Sequence, residues 1–118
     1  MIKLIATDMD GTLLNAAHEI SEENINAIKY AQSKGITVVI ATGRAFYEAS
    51  TPMAETDLKV PYICLNGAEV RDESFNIMNT SHLNHELVER IKAILDREDV
   101  YYQVYTNRGI YTEDPTRD

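Results

Sequence analysis

Asp8 and Asp10 stand on either side of Met9 and are followed by Gly11 and Thr12, directly after an apolar run at residues 2–7. Carboxylates this close repel when both are ionised. Holding both charged calls for a cation, for which hard, oxygen-seeking Mg²⁺ is the usual choice. With a metal offsetting the charge of an incoming phosphate, one Asp can attack phosphorus while the other handles the leaving group's proton, a route through an aspartyl-phosphate. Gly11 lets the backbone turn sharply, so that the N–H groups of residues 9–11 can face the phosphate. Spacing alone leaves the alternative equally open: a turn that carries a solvated acidic pair.

The elements around this pair decide what else joins it. The run at residues 2–7 lacks helical spacing and stops abruptly at the acids, as a buried parallel strand does. Ser21 can cap a helix whose Ile25, Ile28 and Ala31 share a face and which Gly35 ends. Residues 36–41 form a second apolar run that stops at Thr42-Gly43-Arg44, and residues 61–65 form a third that stops at Asn66-Gly67. Between them, residues 45–55 suggest a helix that Pro52 must kink or interrupt. Strand, helix, strand is the parallel unit, and ligands of open parallel sheets bind beyond the carboxyl ends of the strands. Topology therefore gathers Asp8, Asp10, Thr42, Arg44 and Asn66 around one site. Residues 68–71 and 75–78 look like a hairpin, residues 84–98 like a strongly amphipathic helix capped by Asn84, and residues 100–106 with 110–112 like a second hairpin.

Composition bounds the possibilities. The chain has 118 residues, room for one compact domain of ordinary size, and no repeat or low-complexity segment. Its net charge of −8 argues against a sequence-independent grip on nucleic acid. The single Cys64 lies in an apolar run, which reads as core filler in a cytoplasmic protein without disulfides. No apolar stretch approaches a membrane span, so neither membrane nor nucleic acid is an expected partner. His18, His82 and His85 have no metal-ligand spacing and read as surface residues, and the Tyr residues near the C-terminus read as strand packing.

The segment from Leu4 to Leu14, with Asp8-Met9-Asp10-Gly11-Thr12 at its centre, closely resembles the first motif of the haloacid dehalogenase (HAD) superfamily. Residues 38–44, ending Thr42-Gly43-Arg44, resemble its second motif, and residues 62–68, with Asn66-Gly67-Ala68, resemble the NGA strand end of the Cof-type phosphatases. The resemblance implies an α/β fold: a partial Rossmann-like core at residues 1–80, with parallel strands, helices and a hairpin, then the first helix and hairpin of an α/β cap at residues 81–118. It implies that Asp8 is the nucleophile and a Mg²⁺ ligand, and that Asp10 is general acid and base with its backbone carbonyl on the metal. Thr42, the Gly43 N–H and the Met9 backbone would bind the phosphoryl oxygens. Arg44 and Asn66 would have a substrate-side or structural role; equally, Arg44 can pair with an acidic neighbour and Asn66 can serve only its turn.

The same resemblance implies a later Lys and an acidic GDxxND-like loop, and this chain contains neither. Lys3, Lys29, Lys34, Lys59 and Lys92 fall on strand starts or helices, and Asp96, Asp99, Glu113, Asp114 and Asp118 have no such arrangement. On that basis the chain is expected to stop midway through the cap, to expose apolar sheet edges prone to self-association, and to turn over weakly. Three functions follow. The first is Mg²⁺-dependent hydrolysis of small phosphomonoesters, of the sugar phosphate or nucleotide class, through an aspartyl-phosphate. The second is a non-catalytic module that binds Mg²⁺ or phosphate or associates with itself, and the third is a phosphomutase.

Overall fold

The computed structural model describes residues 1–112 of the chain, so that Glu113, Asp114 and Asp118 lie outside the described residues. Two compact units divide it, Met1–Ser81 and His82–Asp118. In the first, strands β1 (Leu4–Thr7), β2 (Thr37–Ala41), β3 (Tyr62–Cys64), β4 (Glu69–Arg71) and β5 (Ile77–Thr80) form one five-stranded sheet in sequence order. The first three run parallel, β4 returns antiparallel to β3, and β5 pairs antiparallel with β4. Helix α1 (Glu22–Ser33) connects β1 to β2, and the short α2 (Phe46–Ala49) lies between β2 and β3. This is the expected α/β class.

Local chemistry explains the boundaries. Ser21 caps α1 by accepting the Asn24 N–H at 3.2 Å, and Gly35, at φ +74°, lets its N–H reach the Gln32 carbonyl at 2.9 Å to end the helix. The helix expected at residues 45–55 is broken as Pro52 requires: α2 stops at Ala49, and Thr51–Met53 form a separate tight turn with Pro52 in its opening positions. The β4–β5 hairpin differs from its expected register. Asp72 Oδ1 accepts the N–H groups of Ser74 and Asn76, both at 2.9 Å, and Phe75 sits at φ +69°, so the turn is longer and β5 starts at Ile77.

The core lies among Met9, Leu13, Leu14, Ile28, Val38, Ile40, Ala49, Met53, Leu58, Val60, Tyr62 and Cys64. Ile40 is fully buried, a placement that stabilises the fold by roughly 1.5–3 kcal/mol. Phe46 meets Tyr62 edge to face at 5.2 Å and Phe75 at the same distance, while the Arg71 guanidinium stacks 4.3 Å from the Phe46 ring centre. These contacts fix α2 and the hairpin turn to β3. One expectation fails: β1 is not buried. It is an edge strand with β2 alone beside it, and Leu4 and Ile5 are 55% and 42% exposed.

In the second unit, Asn84 caps α3 (His85–Arg97) through the Leu87 N–H at 2.8 Å. Strands β6 (Val104–Thr106) and β7 (Gly109–Tyr111) pair as a hairpin. The first strand is shorter than the sequence suggests, because the residues after α3 are used to close it: the Val100 N–H donates to the Leu95 carbonyl and the Tyr102 hydroxyl to Asp96 Oδ1. No helix among the described residues is long and apolar enough to cross a membrane.

Candidate active site

Beyond β1 the chain folds into a tight loop, Met9–Leu13, with Gly11 at φ +71°. Met9 anchors it. Its side chain is fully buried in the core, so its two acidic neighbours are turned outward and exposed. Asn24 on α1 holds the far end of the loop, its side-chain N–H donating to the Leu13 carbonyl at 2.9 Å.

The turns after β2 and β3 are sewn to each other by backbone hydrogen bonds. The Asn66 N–H donates to the Thr42 carbonyl at 3.2 Å and the Leu65 N–H to the Arg44 carbonyl at 3.0 Å. Making these bonds places Leu65, Asn66 and Gly67 successively at φ +50°, +54° and +98°. For a leucine that conformation costs about 1–2 kcal/mol, and strain of this kind gathers where a site must be held. Gly43 makes a close approach of a different kind: a Cβ there would lie 3.2 Å from Asn66 Oδ1. The Asn66 carboxamide therefore rests against the Gly43 backbone. Thr42 is buried, and its Oγ1 accepts the Arg44 N–H at 3.1 Å, which leaves the hydroxyl proton to donate elsewhere.

The structure brings Asp10 and Arg44 together. Arg44 Nε donates to Asp10 Oδ2 at 2.8 Å and Nη2 to Oδ1 at 2.5 Å, joining the β1 loop to the β2 turn. These hydrogen bonds, helped by the guanidinium charge, hold the Asp10 carboxyl below its usual value, and Asp10 raises Arg44 in return. Of the two roles left open for Arg44 by the sequence, pairing with an acid is the observed one. His18, which its spacing does not mark, stands with Nδ1 3.8 Å from Asp10 Oδ1. A residue at φ +58° in a loop offers no periodic signal by which to find it.

Asp8 is oriented separately, its Oδ1 accepting the Met9 N–H at 2.8 Å. Among the described residues no group of three or more His, Cys, Asp and Glu is placed to hold a metal ion. Arg44 itself offsets the charge of Asp10, so a cation is not the sole counter-charge to the acidic pair. What remains is an exposed Asp8 carboxylate, an oxygen donor of the kind that fits Mg²⁺, which commonly takes one or two protein oxygens and fills its shell with water and substrate phosphate.

A sequence profile of the haloacid dehalogenase-like hydrolases matches residues 5–118. Phosphatase YwpJ of Bacillus subtilis (strain 168) is 39% identical over 111 residues, covering 94% of this chain and 39% of that protein. The 5-amino-6-(5-phospho-D-ribitylamino)uracil phosphatase YwtE of the same organism is 38% identical, covering 90% of this chain and 36% of its own length. A haloacid dehalogenase-like hydrolase structure from B. subtilis superposes with a TM-score of 0.91 at 38% identity, over 98% of this chain and 41% of the other. A phosphatase of the haloalkanoate superfamily from Bacteroides thetaiotaomicron gives 0.83 at 31% identity, over 99% and 43%. The chain therefore spans about two fifths of the length of the proteins it matches.

Proposed function

Since the chain belongs to the haloacid dehalogenase-like hydrolase family, we propose that it carries the nucleophile and the acid–base group of a Mg²⁺-dependent phosphomonoester phosphatase. The observation that carries this reading is the buried Met9 between two exposed acids, with Thr42 and Gly43 held nearby in the family's second motif. Asp8 attacks phosphorus and the bond to the leaving oxygen breaks as Asp10 gives that oxygen its proton. Water then attacks the aspartyl-phosphate, Asp10 takes the water's proton, and phosphate leaves with Asp8 restored. The Thr42 hydroxyl and the N–H groups of Met9 and Gly43 orient the phosphoryl oxygens. The Asp8 carboxylate and the Asp10 carbonyl would hold Mg²⁺, which supplies positive charge against the phosphate when bound.

Small phosphorylated metabolites of the sugar phosphate or nucleotide class are the proposed substrates, in a cytoplasmic protein. Residues 1–80 would act as the catalytic core and residues 81–118 as the start of a substrate-facing cap. A second reading, a module that associates with itself, is favoured by the exposure of Leu4 and Ile5 on β1 and of Ile2 just before it. Phosphate release from a generic phosphomonoester with Mg²⁺, run beside Asp8→Asn, tests the proposal. Release lost in the variant is the expected result; release unchanged by it removes Asp8 as the nucleophile.

A further inference from the structure

Arg44 meets Asp10 with two nitrogens on two oxygens. A phosphate monoester presents paired oxygens to a guanidinium in the same way, so carboxylate and phosphate are rivals for one edge of Arg44. While both Asp10 oxygens accept from Arg44, the carboxylate is held in one orientation by the guanidinium, and turning it toward another group requires the fork to let go.

The surroundings place Arg44 where a phosphate can displace Asp10 from the guanidinium. Its backbone is fixed in the turn that presents Thr42 and Gly43: the Arg44 N–H donates to Thr42 Oγ1 and its carbonyl accepts the Leu65 N–H. Its side chain is 27% exposed and Asp10's 49%, so an anion from solvent can reach the pair. Glu48, the other acid whose charge acts on Arg44, accepts the Ala45 N–H at 3.2 Å, and His18 lies on the Asp10 side at 3.8 Å.

We propose that Arg44 is a shared latch: it holds Asp10 while the site is empty, and the phosphoryl group of a phosphomonoester takes the guanidinium and frees Asp10 for proton transfer. The inference rests on the reading that Thr42 and Gly43 receive a phosphate. One ion pair replaces another, with no covalent bond made or broken. Arg44 is thereby both a phosphate ligand and a positioning residue for Asp10.

The test titrates inorganic phosphate into the full chain near neutral pH, followed by ³¹P line width, for the wild type, Asp10→Asn, Arg44→Gln and the double variant. Circular dichroism on each confirms that these exposed changes leave the fold intact. Asp10→Asn is expected to bind phosphate about two- to fivefold more tightly, the size of a partly exposed ion pair. Arg44→Gln is expected to weaken binding, and in its background Asp10→Asn is expected to have no effect. Arg44→Lys, which keeps the charge without the fork, should fall between wild type and Arg44→Gln. A gain from Asp10→Asn that persists without Arg44 reflects lost negative charge alone and overturns the latch, as does no gain at all, while the phosphate site stands. Absence of phosphate binding by the wild type overturns the site and the latch together.

Discussion

Replacing Met9 by alanine tests whether the acidic loop is held by its own central side chain. Met9 is 0% exposed and belongs to the core cluster. Truncation removes Cγ, Sδ and Cε, and at about 0.8 kcal/mol per methylene-sized group the transfer loss alone is about 2.4 kcal/mol. The cavity left behind raises this toward about 5 kcal/mol, according to how far the neighbours collapse. Small domains have a total stability of about 5–15 kcal/mol, so this is a large fraction. Urea unfolding followed by circular dichroism would read it as a midpoint lowered by about 1 M or more. Met9→Leu conserves volume and should cost less than about 1.5 kcal/mol. An alanine variant within about 0.5 kcal/mol of wild type would refute the anchoring role, because the loop would then be held by its hydrogen bonds alone.

Gly43→Ala should leave stability within about 1 kcal/mol, since the new Cβ meets the movable carboxamide of Asn66 at 3.2 Å rather than backbone. The Asn66 side-chain amide resonances should shift in its NMR spectrum; unmoved resonances would contradict the close approach. Burial pushes the Cys64 thiol up to about 11, so iodoacetamide near pH 8 should alkylate it only after urea is added, and equal rates would show an open thiol. The hydrogen bonds of Asn76 and Ser74 hold the Asp72 carboxyl below 3.8. A lowered folded value stabilises fully above the unfolded value and is lost as pH falls through the folded one. The urea midpoint should therefore drop less between about pH 6 and pH 3 in Asp72→Asn than in wild type; an equal drop would contradict the assignment.

Strands β1, β2 and β3 were legible because each is an apolar run stopped by polar residues, and helices α1 and α3 because Ser21 and Asn84 announce their caps. The gathering of Thr42, Arg44 and Asn66 followed from parallel topology, which the sheet bears out. Other features were hidden because they depend on contacts, near or distant in sequence, that composition and periodicity do not record. That Arg44 chooses Asp10 is decided by geometry across thirty-four positions. The long turn at Asp72 depends on how one carboxylate divides its bonds, and the exposure of β1 depends on its place in the sheet rather than on its composition. Nor could apolar spacing mark His18, whose loop is shaped by Asn15 accepting the Ala17 and Glu19 N–H groups.

The position of β1 also sets an order of assembly. Leu4 pairs with Thr37, so the first parallel contact must close a loop of about thirty residues, whereas the β4–β5 hairpin closes locally. Hairpins form within about 1–10 μs, and contacts distant along the chain are slower. The acidic loop hangs from β1, so its place in the sheet waits on that slower pairing. Within this chain β1 is held along one side only, as β5 is at the other edge, so both edges open more readily than the strands between them. The acids therefore hang from an edge of this sheet, where local opening reaches them without disturbing the central strands.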